Sequence, residues 1–452
     1  MSNNINLKQG LNIPISGTAA QKTRKDVAGT VVAIKPTDFK GLLPKLLVKE
    51  GDRVLAGSPV LADKVSQDIL FTSPVSGTVE SVVREEKRKL LEVRIKADKT
   101  TEYVDFGTRK VNELSAEQVR EALLQSGLWP SFIQRPYGIV ADPQIKPKAI
   151  FVSAFATAPL AADIDYTLRD EFDNIQTGVN AVAKLTDGGV HFSLNGVNFN
   201  GTPLHKIENV IHHTFTGKHP AGNVGVQIHH ISPVSKGETV WTISPMMLAA
   251  IGKLFNTGKY DVSRKVAVTG PKAIDPAYVT AFPGMSMTDI ADFYDNSAND
   301  IRFISGDVLT GTNVGAEGFL GFFDNQVTLI KEGNEYEMFG WAKPFRTNLF
   351  SASRTYFSWL TPNKKYDMDT NLHGGPRAFV MSDLYGKVLP MDLYPVHLVK
   401  ACLAGDIDKM EKFGIYEVIE EDLALCEYVC PSKIEIQSIL SDGINLMLKE
   451  MA

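Results

Sequence analysis

The sequence predicts a multidomain α/β protein: a small β module, an α/β domain, a small α+β domain and a helical tail. Three observations carry that prediction. The chain has 452 residues, well beyond the roughly 250–300 at which single cores stop growing. Residues 28 to 97 alternate short β-branched runs with Gly and Pro turns, the pattern of a compact all-β unit. After them, apolar runs alternate with stretches of helical period, the order that builds βαβ units and a parallel sheet.

The β module reads as GTVVAI, KLLVKEGD, SPVLA, DILFTSPVSGTVESVV and LLEVRIKAD, and we assign it residues 1–105. The next domain, 106–260, opens with SAEQVREALLQSGLW. Ser115 is a candidate N-cap with Gln118 three residues on, Val119, Ala122 and Leu123 share one face, and Gly127 ends the helix. KAIFVSAF reads as a buried strand, DEFDNIQTGVNAVAKLTDG as a helix and GVHFSLNG as a second strand. Ser244-Pro245 opens a helix that Gly258 closes, following the preference for Pro at the first turn and Gly past the end. RKVAVTGPKAIDP begins the α+β domain, 261–330. The rest, 331–452, is a mixed segment that turns helical from LHGGPRAFV and ends in the amphipathic KIEIQSILSDGINLMLKEM.

Net charge is −5, so nothing points to nucleic acid. Cys402, Cys426 and Cys430 are an odd set without a signal-like start, which fits a reducing compartment. The longest apolar helix, SPMMLAAIGKLF, is too short to span a bilayer and carries Lys253. A membrane role therefore has to come through partners.

The stretch LADKVSQDILFTSPVSGTV, preceded by KEGDRVLAGSPV, has the turns of a lipoyl or biotinyl barrel-sandwich domain around Lys64. Lys64 lies close behind Gly51, no Met precedes it, and VSQDILF after it is long. We expect the barrel-sandwich as scaffold, with Lys64 a solvated loop residue.

Taken together, KGLLPKLLVKEGDRVLAGSPVLADK, FTSPVSGTVESVVREEKRKL, GKHPAGNVGVQIHHISPV, ISPMMLAAIGKLFNTGKY, RKVAVTGPKAIDP, RFISGDVLTG, FLGFFDNQVTLIKEGNEYEMFGW, GGPRAFVMSDLYGKVLPMDLYPVHLVKACLAGDIDKMEKFGI and EEDLALCEYVCPSK resemble, in order and spacing, the NqrA family of the sodium-translocating NADH:quinone reductases. The resemblance runs from about residue 5 to 450. It implies a Rossmann-like second domain related to the flavin subunit of complex I and a β-grasp-like third domain. It implies a peripheral subunit, on the cytoplasmic face of the bacterial inner membrane, of a complex that oxidises NADH, reduces ubiquinone or menaquinone and exports sodium. Its partners would be the other subunits, membrane-embedded ones included, and flavins and iron–sulfur centres would belong to them. The alternative is a flavin- and iron–sulfur-bearing dehydrogenase subunit of Rnf or complex I type.

The residues themselves offer little cofactor chemistry. Cys426-x3-Cys430-Pro431 matches the second half of a ferredoxin run, but stepping back by threes meets Leu423 and Glu420. The resemblance makes this a relic of a cluster-binding ancestor. No G-x-G-x-x-G follows a strand; VSAFATAPLAAD has no glycine and GAEGFLG has the wrong spacing. We expect no tightly bound NADH, FMN or cluster, and no catalytic residue. His205, His212, His213, His219, His229 and His230 lie close together, but a strand would send each adjacent pair to opposite faces, so we expect no metal site. A quinone needs an apolar slot with one or two polar groups. WPSFIQRPYG offers Trp129, Phe132 and Tyr137 as flat faces and Arg135 as a donor, although the same residues suit a core cluster in which Arg135 pairs with a carboxylate. LYGKVLPMDLYPVHLV, with Pro390, Met391 and Pro395, is a candidate for partner contact.

Overall fold

The computed structural model describes residues 4–27, 29–335, 337–340 and 346–451. Parts of FLGFFDNQVTLIKEGNEYEMFGW and of the mixed segment, Tyr336 and residues 341–345, lie outside them, as does Ala452.

Two antiparallel sheets form the β module. One orders Val31–Ile34, Leu90–Ala97, Gly77–Arg84 and Arg53–Val54; the other orders Pro44–Leu46, Pro59–Asp63 and Leu70–Thr72. Alternation along the strands turns Val32, Val60, Phe71, Val79, Val93 and Ile95 into a common core.

The third sheet has seven strands, in the order Asn4–Asn6, Ile211–Thr216, Val190–Asn195, Ile150–Ser153, Val240–Thr242, Ile133–Arg135 and Ile139–Val140. The first five are parallel, Ile133–Arg135 runs antiparallel to them, and Ile139–Val140 turns back antiparallel to Ile133–Arg135. The expected βαβ unit is present: Ile150–Ser153, the helix Phe172–Val182 and Val190–Asn195, with Ile150 opposite Val190. The helix Ala116–Ser126 starts in a reciprocal capping box. Ser115 Oγ accepts the Gln118 N–H at 3.2 Å and Gln118 Oε1 accepts the Ser115 N–H at 2.8 Å. The helix Pro245–Thr257 is capped by Ser244 and closed by Gly258 at φ +71°. It crosses Phe172–Val182 so closely that a Cβ on Gly252 would stand 1.8 Å from the Asn174 carbonyl oxygen, and one on Gly178 2.0 Å from that of Leu248. Glycine from each helix seats the backbone of the other.

The fourth sheet is mixed, ordered Thr312–Asn313, Ile301–Ser305, Gln326–Lys331, Arg264–Thr269, Ala277–Ala281 and Thr23–Asp26. The tail packs the helices Leu384–Val388, Pro395–Ala404, Ile407–Lys412, Ala424–Val429 and Ile436–Met451 around Leu398, Met410, Leu423, Leu440 and Ile444. Among the described residues no helix is long and apolar enough to cross a membrane.

One difference from the sequence reading concerns the start of the chain. Asn4–Asn6 and Thr23–Asp26, within the stretch assigned to the β module, are edge strands of the third and fourth sheets. They are short and polar, and only the backbone pairing offered by distant strands makes them β.

Candidate functional site

The β module, the second domain and the fourth sheet meet at a narrow cleft with a cavity volume of about 20 Å³, lined mainly by apolar groups. The turn Pro36–Asp38, which follows the strand Val31–Ile34, brings in Lys35, Asp38 and Phe39. Phe71 and Pro74 come from the module's second sheet, Gly127 and Pro130 from the end of the first long helix, and Tyr260, Gly284 and Phe322 from beyond it. Phe39 is the hub: its ring centroid is 4.5 Å from that of Phe71, edge to face, and 4.9 Å from that of Phe322.

The polar groups at this cleft are few and held in place. Lys35 Nζ donates to the Phe319 carbonyl at 3.1 Å and lies 3.3 Å from Asp38 Oδ1. Asp38 Oδ2 accepts the Phe322 N–H at 2.8 Å. Burial raises the Asp38 pKa, with Lys35 opposing. Burial also pushes the Tyr260 phenol up to about 12, so it stays an O–H donor at neutral pH. The loop that carries Phe322 is tied down by Arg264, whose Nη2 donates to the carbonyls of Phe322 at 2.7 Å and Asp324 at 2.6 Å. Burial lowers the Arg264 pKa to about 10, which leaves it charged. Chemically this is a narrow apolar niche bordered by an ammonium and a phenol, each of which has a partner within the protein.

The aromatic segment predicted from sequence lies behind the cleft. Pro130 reaches the lining, whereas Trp129 and Phe132 are fully buried against Trp241, with ring centroids 5.3 and 5.6 Å from it. Trp129 Nε1 donates to the Ala141 carbonyl at 2.7 Å. Arg135 and Tyr137 face the helical tail. Arg135 Nη1 meets Asp422 Oδ2 and Nη2 meets Glu421 Oε1, each at 2.7 Å. Burial opposes the Arg135 charge, but the two carboxylates outweigh it and hold its pKa above the usual range. Burial and the neighbouring acids push the Glu421 pKa upward against Arg135. Asp422 in turn sits over the first turn of the helix Val224–Ile231, where a Cβ on Gly225 would fall 2.2 Å from its Oδ1. Tyr137 packs on Tyr416, with centroids 6.2 Å apart.

The histidines are engaged internally. His212 and His213 lie on the strand Ile211–Thr216 and turn to different partners: His212 Nε2 is 2.9 Å from the Ile207 carbonyl oxygen, His213 Nε2 2.9 Å from His191 Nδ1. His229 and His230 correct the sequence reading, because VGVQIHHI is a helix. Its apolar run is too short for its period to decide, and packing on Ile150–Ser153 and the tail decides it. His229 Nδ1 is 2.7 Å from Glu417 Oε2, and His230 Nε2 is 2.8 Å from the Pro390 carbonyl oxygen. His219 Nδ1 is 3.1 Å from Thr157 Oγ1, and His205 bonds the Thr202 carbonyl. Among the described residues no group of three or more His, Cys, Asp or Glu side chains is placed to hold a metal ion.

Cys402, Cys426 and Cys430 are buried free thiols. Burial raises the Cys402 pKa to about 11 and drives that of Cys426 higher still. Tyr385 donates its O–H to Cys430 Sγ at 3.0 Å. Leu423 is in the helical core and Glu420 pairs with Lys40. Lys64 is exposed on the loop between the paired strands Pro59–Asp63 and Leu70–Thr72. Pro390, Met391 and Pro395, read as candidates for partner contact, are buried.

Family models match in three blocks: an NqrA N-terminal barrel-sandwich hybrid domain over residues 5–98, an NqrA second alpha/beta domain over 114–260, and an NQRA C-terminal domain over 265–316. The NqrA subunit of the Na(+)-translocating NADH-quinone reductase of Rhodopirellula baltica is 38% identical over 449 residues, covering 98% of each chain. The chain belongs to this family. The corresponding subunits from Yersinia pestis, 37% identical over 99% of this chain and 100% of theirs, and Haemophilus influenzae, 36% identical over the same shares, agree. Among solved structures, an NAD+-reducing [NiFe]-hydrogenase aligns with 77% of this chain and 67% of its own at 10% identity and a TM-score of 0.37, too low to support any argument.

Sequence reasoning missed the cleft because its walls, Lys35 to Phe39, Phe71, Tyr260 and Phe322, are scattered along the chain. The one signal within reach was the Phe322-Phe323 pair with the nearby Asp324, an apolar and charged loop in an otherwise β segment.

Proposed function

We propose that this chain is the peripheral subunit that holds the quinone ring in a complex that oxidises NADH, reduces ubiquinone or menaquinone and exports sodium. It docks on membrane-embedded partner subunits at the cytoplasmic face of the bacterial inner membrane. Flavins and iron–sulfur centres sit in those partners, and this subunit serves binding and assembly. Its second domain would be Rossmann-like and its third β-grasp-like, kept as architecture without their nucleotide chemistry.

The cleft is the observation that carries the quinone reading. A quinone is flat and apolar, with two carbonyl oxygens that accept hydrogen bonds, and such ligands are held in apolar slots with a few converging donors. Phe39, Phe71 and Phe322 supply the faces, and Lys35 and Tyr260 the donors. We place the ring there rather than against Trp129, Phe132, Arg135 and Tyr137, which lie behind the cleft or face the helical tail. Pro130 links that segment to the cleft wall.

The test is an equilibrium titration of the purified chain with a short-chain ubiquinone analogue. Phe39→Ala and Lys35→Gln should each weaken binding roughly tenfold, a loss of about 1.4 kcal/mol. The visible spectrum, iron content and intact mass are recorded on the same sample. Saturable binding by a colourless, unmodified protein supports the reading. Binding that ignores both substitutions, or colour accompanied by stoichiometric iron, overturns it.

A further inference from the structure

The segment 346–381 carries little regular structure beyond the turn Phe357–Leu360. Even so it is built. Ser351 N–H donates to Ser358 Oγ at 3.1 Å, Thr355 N–H to Ser351 Oγ at 2.9 Å, and the Phe350 ring meets that of Tyr366 at 6.0 Å. Tyr366 fastens its base to the body through the Pro14 carbonyl at 2.8 Å and the Ser16 N–H at 3.0 Å. What this scaffold displays is unusual for a water-facing surface. Phe357, Trp359 and Leu360 are 52%, 53% and 60% exposed.

The charge of the same region runs against the rest of the chain. Residues 346–381 hold five Lys and Arg against two Asp, in a chain of net charge −5. Arg354, Lys364, Lys365 and Arg377 are all exposed. Basic side chains interleaved with Trp, Phe and Leu on one exposed element match a lipid interface, where the aromatic rings sit at headgroup level and the cations meet anionic headgroups.

We propose that the excursion around Phe357–Leu360 docks this chain directly on the anionic surface of a phospholipid bilayer. Trp359, Phe357 and Leu360 enter the headgroup zone, and Arg354 and Lys365 pair with lipid phosphates. This rests on the peripheral-subunit reading and adds a contact with lipid itself to the contacts with partner subunits.

The experiment uses the full chain and two sets of vesicles, phosphatidylcholine alone and phosphatidylcholine with phosphatidylglycerol, with co-sedimentation as the readout. Binding to the anionic vesicles is expected to be at least tenfold tighter and to weaken as salt rises. Arg354→Glu with Lys365→Glu should cost roughly tenfold of that binding, and Trp359→Ser with Leu360→Ser a similar factor, with the circular dichroism spectrum unchanged. These side chains are exposed, so the variants keep the fold. Equal binding to both vesicle types, no binding, or variants that bind like the parent overturn the proposal. Co-purification with the membrane subunits is scored on the same variants. A chain that assembles without binding vesicles defeats the lipid contact alone, and a chain that never assembles defeats the subunit reading.

Discussion

Arg135 and Asp422 form an ion pair at 2.7 Å, with side-chain exposures of 3% and 0%, and so join the second domain to the helical tail. A second carboxylate, Glu421, takes the other guanidinium nitrogen. Removing one partner of a buried pair strands the remaining charge, which costs roughly 3–5 kcal/mol. Arg135→Ala should therefore lower the unfolding free energy by that amount, read from the shift of the denaturant midpoint. Arg135→Lys should recover only part of it, because one ammonium cannot match a fork that serves two carboxylates.

Gly252 sets the spacing of two helices in the second domain. In the Gly252→Ala variant the new methyl overlaps the Asn174 carbonyl, and the helices must separate. Overpacking of this kind costs about 1–3 kcal/mol or more, which a lowered melting temperature would register. Gly178→Ala should do the same from the other side, and the two losses should be less than additive once the helices have moved apart.

His219 makes part of the stability depend on pH. It is buried, and burial lowers its pKa from 6.5 to about 4. The unfolded chain takes up a proton below pH 6.5 that the folded chain refuses until about pH 4. Stability contributed by neutral His219 is thus full above pH 6.5 and is lost as pH falls toward 4, to a total of about 3 kcal/mol. His219→Gln should flatten the slope of unfolding free energy against pH in that window and leave it unchanged above.

Arg264 governs the cleft through the loop it ties down. Arg264→Met frees the carbonyls of Phe322 and Asp324, and the Phe322 ring loses its fixed place. Affinity for a ubiquinone analogue should fall about tenfold, or 1.4 kcal/mol. Direct substitution of a surface residue such as Glu117 should leave it untouched.

What could be read in advance followed the range of each interaction. Ser115, Gln118 and Gly127, and likewise Ser244, Pro245 and Gly258, mark helix ends through contacts within a few residues, so both helices were legible. The edge strands Asn4–Asn6 and Thr23–Asp26 carry no such local mark, because their pairing is with residues more than two hundred positions away. At 129–137 the sequence showed an aromatic cluster with one Arg but not which way it faces. That depends on Trp241 and Asp422, which no window around Arg135 contains. The cleft is further out of reach, since it is a property of how three units meet.

The two polar strands near the start also bear on synthesis. Asn4–Asn6 pairs with Thr214–Thr216 and Thr23–Asp26 with the strand Ala277–Ala281, so both leave the ribosome long before their partners exist. Until then the opening of the chain has nothing to fold onto, and the β module between them and those partners is free to form first. Being short and hydrophilic, the waiting strands offer a poor template to other nascent chains. Asn4–Asn6 can be secured once Thr214–Thr216 has emerged and Thr23–Asp26 only once Ala277–Ala281 has, so both strands wait until after the β module between them and their partners is made.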